Sequence, residues 1–145
     1  MDHIKRVLPL LVAVLALAGC SAGSPTSPTE PYTFTLDPAD FVSAVDNPFF
    51  PLTPGATYTY ESRTAEGTEV TDIEVLSEPR LVMGIPATVV HDVVTFDGTL
   101  VEDTYDWYAQ DNAGNVWYLG EDVSNYEDGS FVDKAGSWES GVDGA

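Results

Sequence analysis

The feature that most constrains this chain is a period-two alternation of side chains, interrupted by three turn signals. Between residues 56 and 119 polar and apolar residues alternate as they do along β-strands. The interruptions are Glu66-Gly67, Asp97-Gly98 and Asn112-Ala113-Gly114, which favour hairpin turns. No stretch between them has room for the crossover helix that neighbouring parallel strands require. The pattern predicts a mainly β domain, built as an antiparallel meander in an open sheet or a partial barrel.

The second and third turns also predict which side chains share a face. Pairing Phe96 with Thr99 sets the register of the second hairpin. Pairing Asp111 with Asn115 sets that of the third. Both registers agree on one mostly apolar face, made of Val90, Val94, Phe96, Val101, Tyr105, Trp107, Ala109, Trp117 and Leu119. Asp92 and Asp103 fall on the same face and count against it locally. They place on the other face Val89, His91, Val93, Glu102, Thr104, Asp106, Tyr108, Tyr118 and Asp122.

The first hairpin is predicted from a two-residue turn at Glu66-Gly67. Pairing Ala65 with Thr68 sets Tyr60 opposite Ile73, so that apolar side chains meet. A further short strand is expected at residues 130–133.

Two other segments are not expected to form strands. Asn47–Pro51 is too rich in proline for a strand centre, and its Phe49 and Phe50 are expected to plug one end of the core. Gly136–Ala145 is rich in glycine and acids, and it supplies no closing strand.

The N-terminus is typical of an export signal. A basic start precedes an apolar run, Val7–Ala18, which at 12 residues is too short to span a membrane, since spanning takes about 20. Leu17–Cys20 (LAGC) resembles the bacterial lipobox. That resemblance implies removal of residues 1–19 and attachment of diacylglyceryl to the Cys20 sulfur.

These assignments divide the chain into three parts. Residues 1–19 are the lipoprotein signal peptide, residues 20–36 the lipid anchor and a flexible linker, and residues 37–145 a single antiparallel β domain. The predicted location is the extracytoplasmic face of the cell membrane. The membrane itself is therefore a predicted partner, held through the acyl chains on Cys20.

Composition then excludes several functions. Without residues 1–19 the chain has 3 basic and 23 acidic residues, a balance that argues against nucleic-acid binding. Cys20 is the only cysteine, so no disulfide framework or cysteine-based zinc site is predicted. No phosphate loop or nucleophile motif occurs, and no cofactor is predicted. A non-enzymatic binding or envelope protein is therefore favoured over an enzyme.

Three runs carry a family resemblance. They are Asp46–Leu52 with Pro54-Gly55, Asp106–Asp122 (DWYAQDNAGNVWYLGED) and Gly136–Ala145 (GSWESGVDGA). Together they resemble an uncharacterised family of bacterial secreted proteins and lipoproteins over residues 46–145. The resemblance implies a secreted β-rich domain and no particular catalytic residue. Members of the family continue past the third run with further strands, which implies that this chain is truncated at its C-terminus.

The polar face holds the candidate ligand-binding residues. In the predicted register His91 lies opposite Thr104 and diagonal to Glu102 and Asp106. An imidazole between carboxylates suits a bound water, a divalent cation or acid–base chemistry, and a hydrolase using these residues is one alternative. A polar strand face in which a neighbouring acid satisfies His91 explains them equally. The candidate set is His91, Glu102, Asp106, Tyr108, Tyr118 and Asp122.

A small molecule, a sugar and a cation all stay open as ligands. Tyr108 and Tyr118 beside an acid suit stacking on a sugar ring. A calcium-dependent binding module would use crowded acids instead, such as Asp92 facing Asp103 in the predicted register, because calcium takes oxygen ligands. No metal ligand is assigned to any residue.

Overall fold

The computed structural model describes residues 35–145. Predictions about residues 1–34, including the signal peptide, the lipid on Cys20 and most of the linker, lie outside these residues. One 3-10 turn, Pro38–Asp40, comes first. The strands are β1 (Phe41–Val42), β2 (Thr57–Arg63), β3 (Thr68–Val75), β4 (Arg80–Val82), β5 (Ile85–Phe96), β6 (Thr99–Asp111), β7 (Val116–Glu127), β8 (Ser130–Asp133) and β9 (Trp138–Glu139).

All pairings between these strands are antiparallel, and the main sheet has the order β2-β3-β5-β6-β7-β8. Three short strands join at the side: β1 pairs with β6, β4 with β5 and β9 with β7. Within residues 35–145 the sheet stays open, with β2 and β8 at its edges. The predicted mainly β, antiparallel open sheet is confirmed. No helix in this part of the chain is long and apolar enough to cross a membrane.

The turns form where the glycine signals predict them, with one change of register. Asp97 and Gly98 both have positive φ, 47° and 79°, as a two-residue hairpin turn requires. Gly114, with φ 88°, forms the third turn. At the first turn the predicted register is wrong, because Arg63 rather than Ala65 pairs with Thr68. The shift of two residues lengthens the loop and keeps every side chain on its predicted face.

Two β-bulges, which the sequence pattern did not reveal, change the faces of the central strands. Val101 is an extra residue in β6, since Val94 pairs with Glu102 and Thr95 with Leu100. As a result, Val90 pairs with Asp106 instead of Tyr105. Leu119 is an extra residue in β7, because Tyr108 pairs with Tyr118 and Trp107 with Gly120. An extra residue moves every following side chain to the other face of the sheet.

The core therefore divides between two faces, and the single apolar face predicted from the sequence is wrong. The cluster face, which contains Val89 and Trp107, buries Val82, Ile85, Ala87, Val89, Trp107, Ala109 and Leu119. The pocket face, which contains Val90 and Asp106, buries Val45, Leu52, Val75 and Val90. Two residues predicted to be in the core, Phe96 and Tyr105, are exposed.

The C-terminal run also differs from prediction. Strand β8 has the predicted bounds, but Trp138 and Glu139 form β9 along β7, where no strand was expected. Gly120 allows β9 to approach β7 closely. Its φ is +141°, and an added Cβ atom would lie 2.4 Å from the Trp138 carbonyl oxygen. A glycine is therefore required at this position for β9 to dock.

Candidate functional site

A pocket of about 350 Å³ opens on the pocket face, between the 49–52 loop and strands β2, β3, β5 and β6. We refer to it as the aspartate–tyrosine pocket. Its lining combines aromatic rings, aliphatic side chains and two carboxylates: Phe49, Phe50, Pro51, Leu52, Tyr58, Tyr60, Ile73, Val90, Asp92, Asp106 and Tyr108. A largely apolar concavity with few polar groups is the usual composition of a small-molecule site.

Cross-strand pairing brings residues far apart in sequence into this pocket. Tyr58 of β2 pairs with Ile73 of β3, and Ile73 pairs with Asp92 of β5. Two residues before Asp92 in β5, on the same face, Val90 pairs with Asp106 of β6. Directly paired residues of antiparallel strands share a face, so these side chains form one continuous surface.

The loop that closes one side of the pocket is held by a buried glutamine. The Gln110 side-chain oxygen accepts from the backbone N–H groups of Asp46 and Asn47, at 3.0 and 2.8 Å. Its side-chain nitrogen donates to Asp46 Oδ1 at 2.7 Å. Val45 and Leu52 then form an isolated β-bridge that brings the loop back on itself. Because both polar atoms of the Gln110 side chain have hydrogen-bond partners, this buried residue positions the loop.

The two phenylalanines of this loop do not plug the core, and that prediction is wrong. Phe49 is 94% exposed and Phe50 is 42% exposed. Both line the aspartate–tyrosine pocket, and the Phe50 ring meets the Tyr108 ring edge to face at 5.2 Å. The bridge between Val45 and Leu52 buries the aliphatic residues of this loop and leaves the rings at the mouth of the pocket.

Asp92 is the most unusual group in the pocket. Its Oδ1 atom is buried, and within residues 35–145 it is the only buried side-chain oxygen or nitrogen without a hydrogen-bond partner. Burial, together with the nearby Asp106 and Glu102 carboxylates, raises the pKa of Asp92 to about 6. An unpaired buried carboxylate oxygen is unfavourable. Asp92 also lines the pocket, so its carboxylate is placed to accept a hydrogen bond there.

Asp106 is, in contrast, held by a tyrosine. The Tyr118 hydroxyl donates to Asp106 Oδ1 at 2.5 Å, and the Tyr118 and Tyr108 rings stack with centroids 4.9 Å apart. Burial raises the pKa of Asp106, and the Tyr118 hydrogen bond opposes that rise. Burial and the neighbouring acids raise the pKa of Tyr108 to about 12, so its hydroxyl stays protonated.

The structure divides the candidate residues predicted from the sequence. Four candidates share the pocket face: Glu102, Asp106, Tyr108 and Tyr118. Of these, only Asp106 and Tyr108 line the pocket. The other two, His91 and Asp122, lie on the cluster face, because each pairs with Tyr105. The predicted acid–base group of His91 with Glu102 and Asp106 is therefore not assembled on one face.

His91 has partners of its own. Its Nε2 atom lies 2.9 Å from Asp103 Oδ1, and its ring stacks on Tyr105 at 4.3 Å with the planes 9° apart. It also lines a second cavity of about 380 Å³, beside Asp72 and Glu74. These contacts account for His91 as a partnered histidine on a polar strand surface.

The acids expected to crowd together are also separated. Asp92 pairs with Thr104, and Asp103 with Val93, so the predicted Asp92–Asp103 pair lies on opposite faces. Asp122 forms an ion pair with Lys134. Within residues 35–145 no group of three histidine or acidic side chains is placed to hold a metal ion.

Sequence reasoning missed Tyr58 and Tyr60 as site residues, and it named Asp92 only as one of the crowded acids of a possible calcium site. The alternation that put the two tyrosines on one face with Ile73 was present in the sequence, but it did not show that this face adjoins β5. Asp92 carried a signal as well, since it was an acid on a face predicted to be apolar. A carboxylate that breaks an apolar pattern is more informative than one in a polar run.

Comparison of the chain with known protein families, with curated proteins and with solved structures found no match in any of the three.

Proposed function

We propose that this chain is a lipid-anchored extracytoplasmic protein that binds a small ligand in the aspartate–tyrosine pocket. The observation that carries the proposal is the Asp92 carboxylate, which lines a pocket of rings, aliphatic groups and one further carboxylate and whose Oδ1 atom has no hydrogen-bond partner. A donor on a ligand bonds the part of this carboxylate that lines the pocket, and the apolar walls bury the rest of the ligand. The LAGC run ending at Cys20 supports the anchor.

Binding is favoured over catalysis by the composition of the pocket. Its lining contains no histidine, cysteine, serine or lysine, so a nucleophile paired with a nitrogen base is missing from it. Its volume lies near the lower end of small-molecule sites, which span about 300–1,000 Å³. The proposed ligand is accordingly small, with an apolar body and at least one hydrogen-bond donor.

Calorimetric titration tests the binding half of the proposal. The full chain, purified in a neutral detergent, is titrated with benzylamine, benzyl alcohol and methyl glucoside. We expect saturable binding of at least one probe, weakened about tenfold or more by Tyr108→Leu, which removes an aromatic wall. Tyr105→Leu, a matched change on the cluster face, leaves the affinity unchanged. If none of the three probes binds, or both variants weaken binding alike, the pocket is not a ligand site.

Metabolic labelling tests the anchor. Cells that express the chain are grown with radiolabelled palmitate, and the immunoprecipitated protein is counted. We expect label in the wild type and in Ser21→Ala, and none in Cys20→Ser, because the sulfur is the proposed attachment atom. Unlabelled wild type, or a labelled Cys20→Ser variant, would contradict lipidation at this residue.

A further inference from the structure

Resting on the proposed function, we infer that the aspartate–tyrosine pocket selects an organic ammonium ion: a protonated amine with at least one N–H, attached to an apolar body. This inference deepens the binding proposal by naming the chemical class of ligand. Three observations support it: unbalanced negative charge, aromatic side chains and an unpaired carboxylate all belong to the lining of this one pocket.

The first observation is a negative charge that the protein does not balance. Asp92 and Asp106 both line the pocket, and Glu102 lies close enough to raise the pKa of Asp92. The lysine and both arginines of the described chain each pair with another acid: Arg63 with Glu61, Arg80 with Glu139, and Lys134 with Asp122. His91 opposes the rise in the pKa of Asp92, but its Nε2 atom lies 2.9 Å from Asp103 Oδ1 on the cluster face. A cation that enters the pocket supplies the missing counter-charge, and an anion is repelled.

The second observation is the aromatic wall. The side chains of Tyr58, Tyr60 and Tyr108 line the pocket, and the Phe50 and Tyr108 rings meet edge to face with centroids 5.2 Å apart. Aromatic rings attract a desolvated cation within about 6 Å of the ring centroid. Aromatic side chains beside two carboxylates therefore suit a cation that carries its own apolar groups.

The third observation separates an amine from other cations. The Asp92 carboxylate lines the pocket and its Oδ1 atom has no partner, so the pocket favours a ligand that donates a hydrogen bond to this carboxylate. An ammonium N–H to a carboxylate is a charge-assisted bond, roughly twice as strong as a neutral one. A bare metal ion fits poorly, because calcium needs about six to eight oxygen ligands and only two carboxylates line this pocket.

Three benzyl compounds that differ in charge and in hydrogen-bond donors test the inference on the full chain at one pH near neutrality. Benzylamine carries charge and N–H donors, benzyl alcohol carries a donor without charge, and benzyltrimethylammonium carries charge without a donor. We expect benzylamine to bind about tenfold more tightly than benzyl alcohol, because of its charge-assisted bond and its contact with the rings. We expect benzyltrimethylammonium to bind more weakly than benzylamine, since it cannot donate to Asp92.

Two variants assign the preference to the pocket. Asp92→Asn removes the charge and most of the preference for benzylamine over benzyl alcohol. Glu74→Gln removes one charge from the neighbouring strand β3, next to the Asp92 partner Ile73 but on the other face, and keeps the preference within about twofold because screened exposed charges contribute little. The comparison of probes on the wild type decides the inference even if a variant fails to fold.

The outcomes distinguish this inference from the proposed function. Equal binding of benzylamine and benzyl alcohol overturns the ammonium inference and leaves a pocket for neutral ligands. Equal binding of benzylamine and benzyltrimethylammonium overturns the hydrogen bond to Asp92. A preference that survives Asp92→Asn but is lost in Glu74→Gln overturns the assignment to the pocket. Binding of none of the benzyl probes or of methyl glucoside removes the binding function itself.

Discussion

On the cluster face of the central strands Val89 packs directly opposite Trp107, and on the pocket face, one residue along, Val90 lies directly opposite Asp106. Both pairs belong to the same two strands, β5 and β6. On the cluster face the apolar side chains are closed by β4, whose Val82 is fully buried. On the pocket face a loop covers only one end of the surface, and an open pocket with two carboxylates in its lining lies beside it.

The difference extends to how each face treats its charges. On the cluster face the Arg80 guanidinium lies 4.1 Å from the centroid of the Trp107 ring and donates to Glu139 at 2.7 Å. Cation, ring and acid are thus all matched there. On the pocket face Asp92 has one oxygen without any partner. One face is arranged for stability, whereas the other keeps an unpaired buried carboxylate oxygen, and that contrast supports the proposal that the second face binds a ligand.

The largest expected effect comes from the cluster face. Leu119 is fully buried at the bulge in β7, and Leu119→Ala is expected to lower the free energy of unfolding by about 2–5 kcal/mol through lost burial and a residual cavity. Urea denaturation of the full chain in neutral detergent measures it.

Leu81→Ala is the matched control, because Leu81 is 69% exposed. It is expected to change the free energy of unfolding by less than about 0.5 kcal/mol. Equal losses in the two variants would mean that the cluster face does not carry the core.

A smaller effect of opposite sign is expected on the pocket face. Asp92 has a pKa of about 6 in the folded chain, above the value of about 3.9 for an unfolded aspartate. Between these two values the folded state binds the proton and the unfolded state does not, so this group lowers stability as pH rises from about 4 to 6. Asp92→Asn removes that loss and is expected to raise the free energy of unfolding at neutral pH by about 1 kcal/mol, with allowance for solvent screening.

Urea midpoints at pH 4 and at pH 7.5 check this sign. The advantage of Asp92→Asn over the wild type should be present at the higher pH and absent at the lower. Glu74→Gln changes an exposed acid of β3, and its stability relative to the wild type should be similar at both pH values. A stability difference independent of pH would contradict the buried, unpaired state of Asp92.

The smallest effect is expected at the exposed end of the sheet, away from both clusters. Lys134 pairs with Asp122, and both side chains are about half exposed. Lys134→Gln should change the free energy of unfolding by no more than about 0.5 kcal/mol, because exposed ion pairs contribute little. The same urea titration at low and high salt measures it. A loss as large as that of Leu119→Ala would show that this ion pair organises the sheet edge.

The long strands and the turns between them were predictable from the sequence, whereas the short strands β1, β4 and β9 and the register of the long pairs were not. The hairpin at Asp97-Gly98 forms with Phe96 opposite Thr99, as its turn chemistry predicts. Val101, three residues after Gly98, is the extra residue that changes the faces. It was not predictable, because a bulge depends on how the sheet twists and packs and leaves little mark on local composition. That single residue moved His91 away from Glu102 and Asp106.

The candidate site was predictable in part for the same reason. Asp106 and Tyr108 were identified, since they lie in a run where polar and aromatic residues alternate. Asp92, which lines the same pocket, was predicted to lie opposite Asp103, because the prediction did not include the bulge at Val101. The loop with Phe49 and Phe50 reached the pocket only through its contacts with Gln110, which is more than 60 residues away in the chain.

The sequence by itself determined an antiparallel β domain, its glycine turns and its acidity, because alternation, turn chemistry and charge are local properties that each short segment carries. Tertiary structure alone decided which residues share a face, and therefore that an unpaired aspartate lies among tyrosine rings. The physical reason is the period of a β-strand: side chains alternate with period two, so one inserted residue reverses every later position. Nothing local to Asp92 records an insertion that lies in the neighbouring strand.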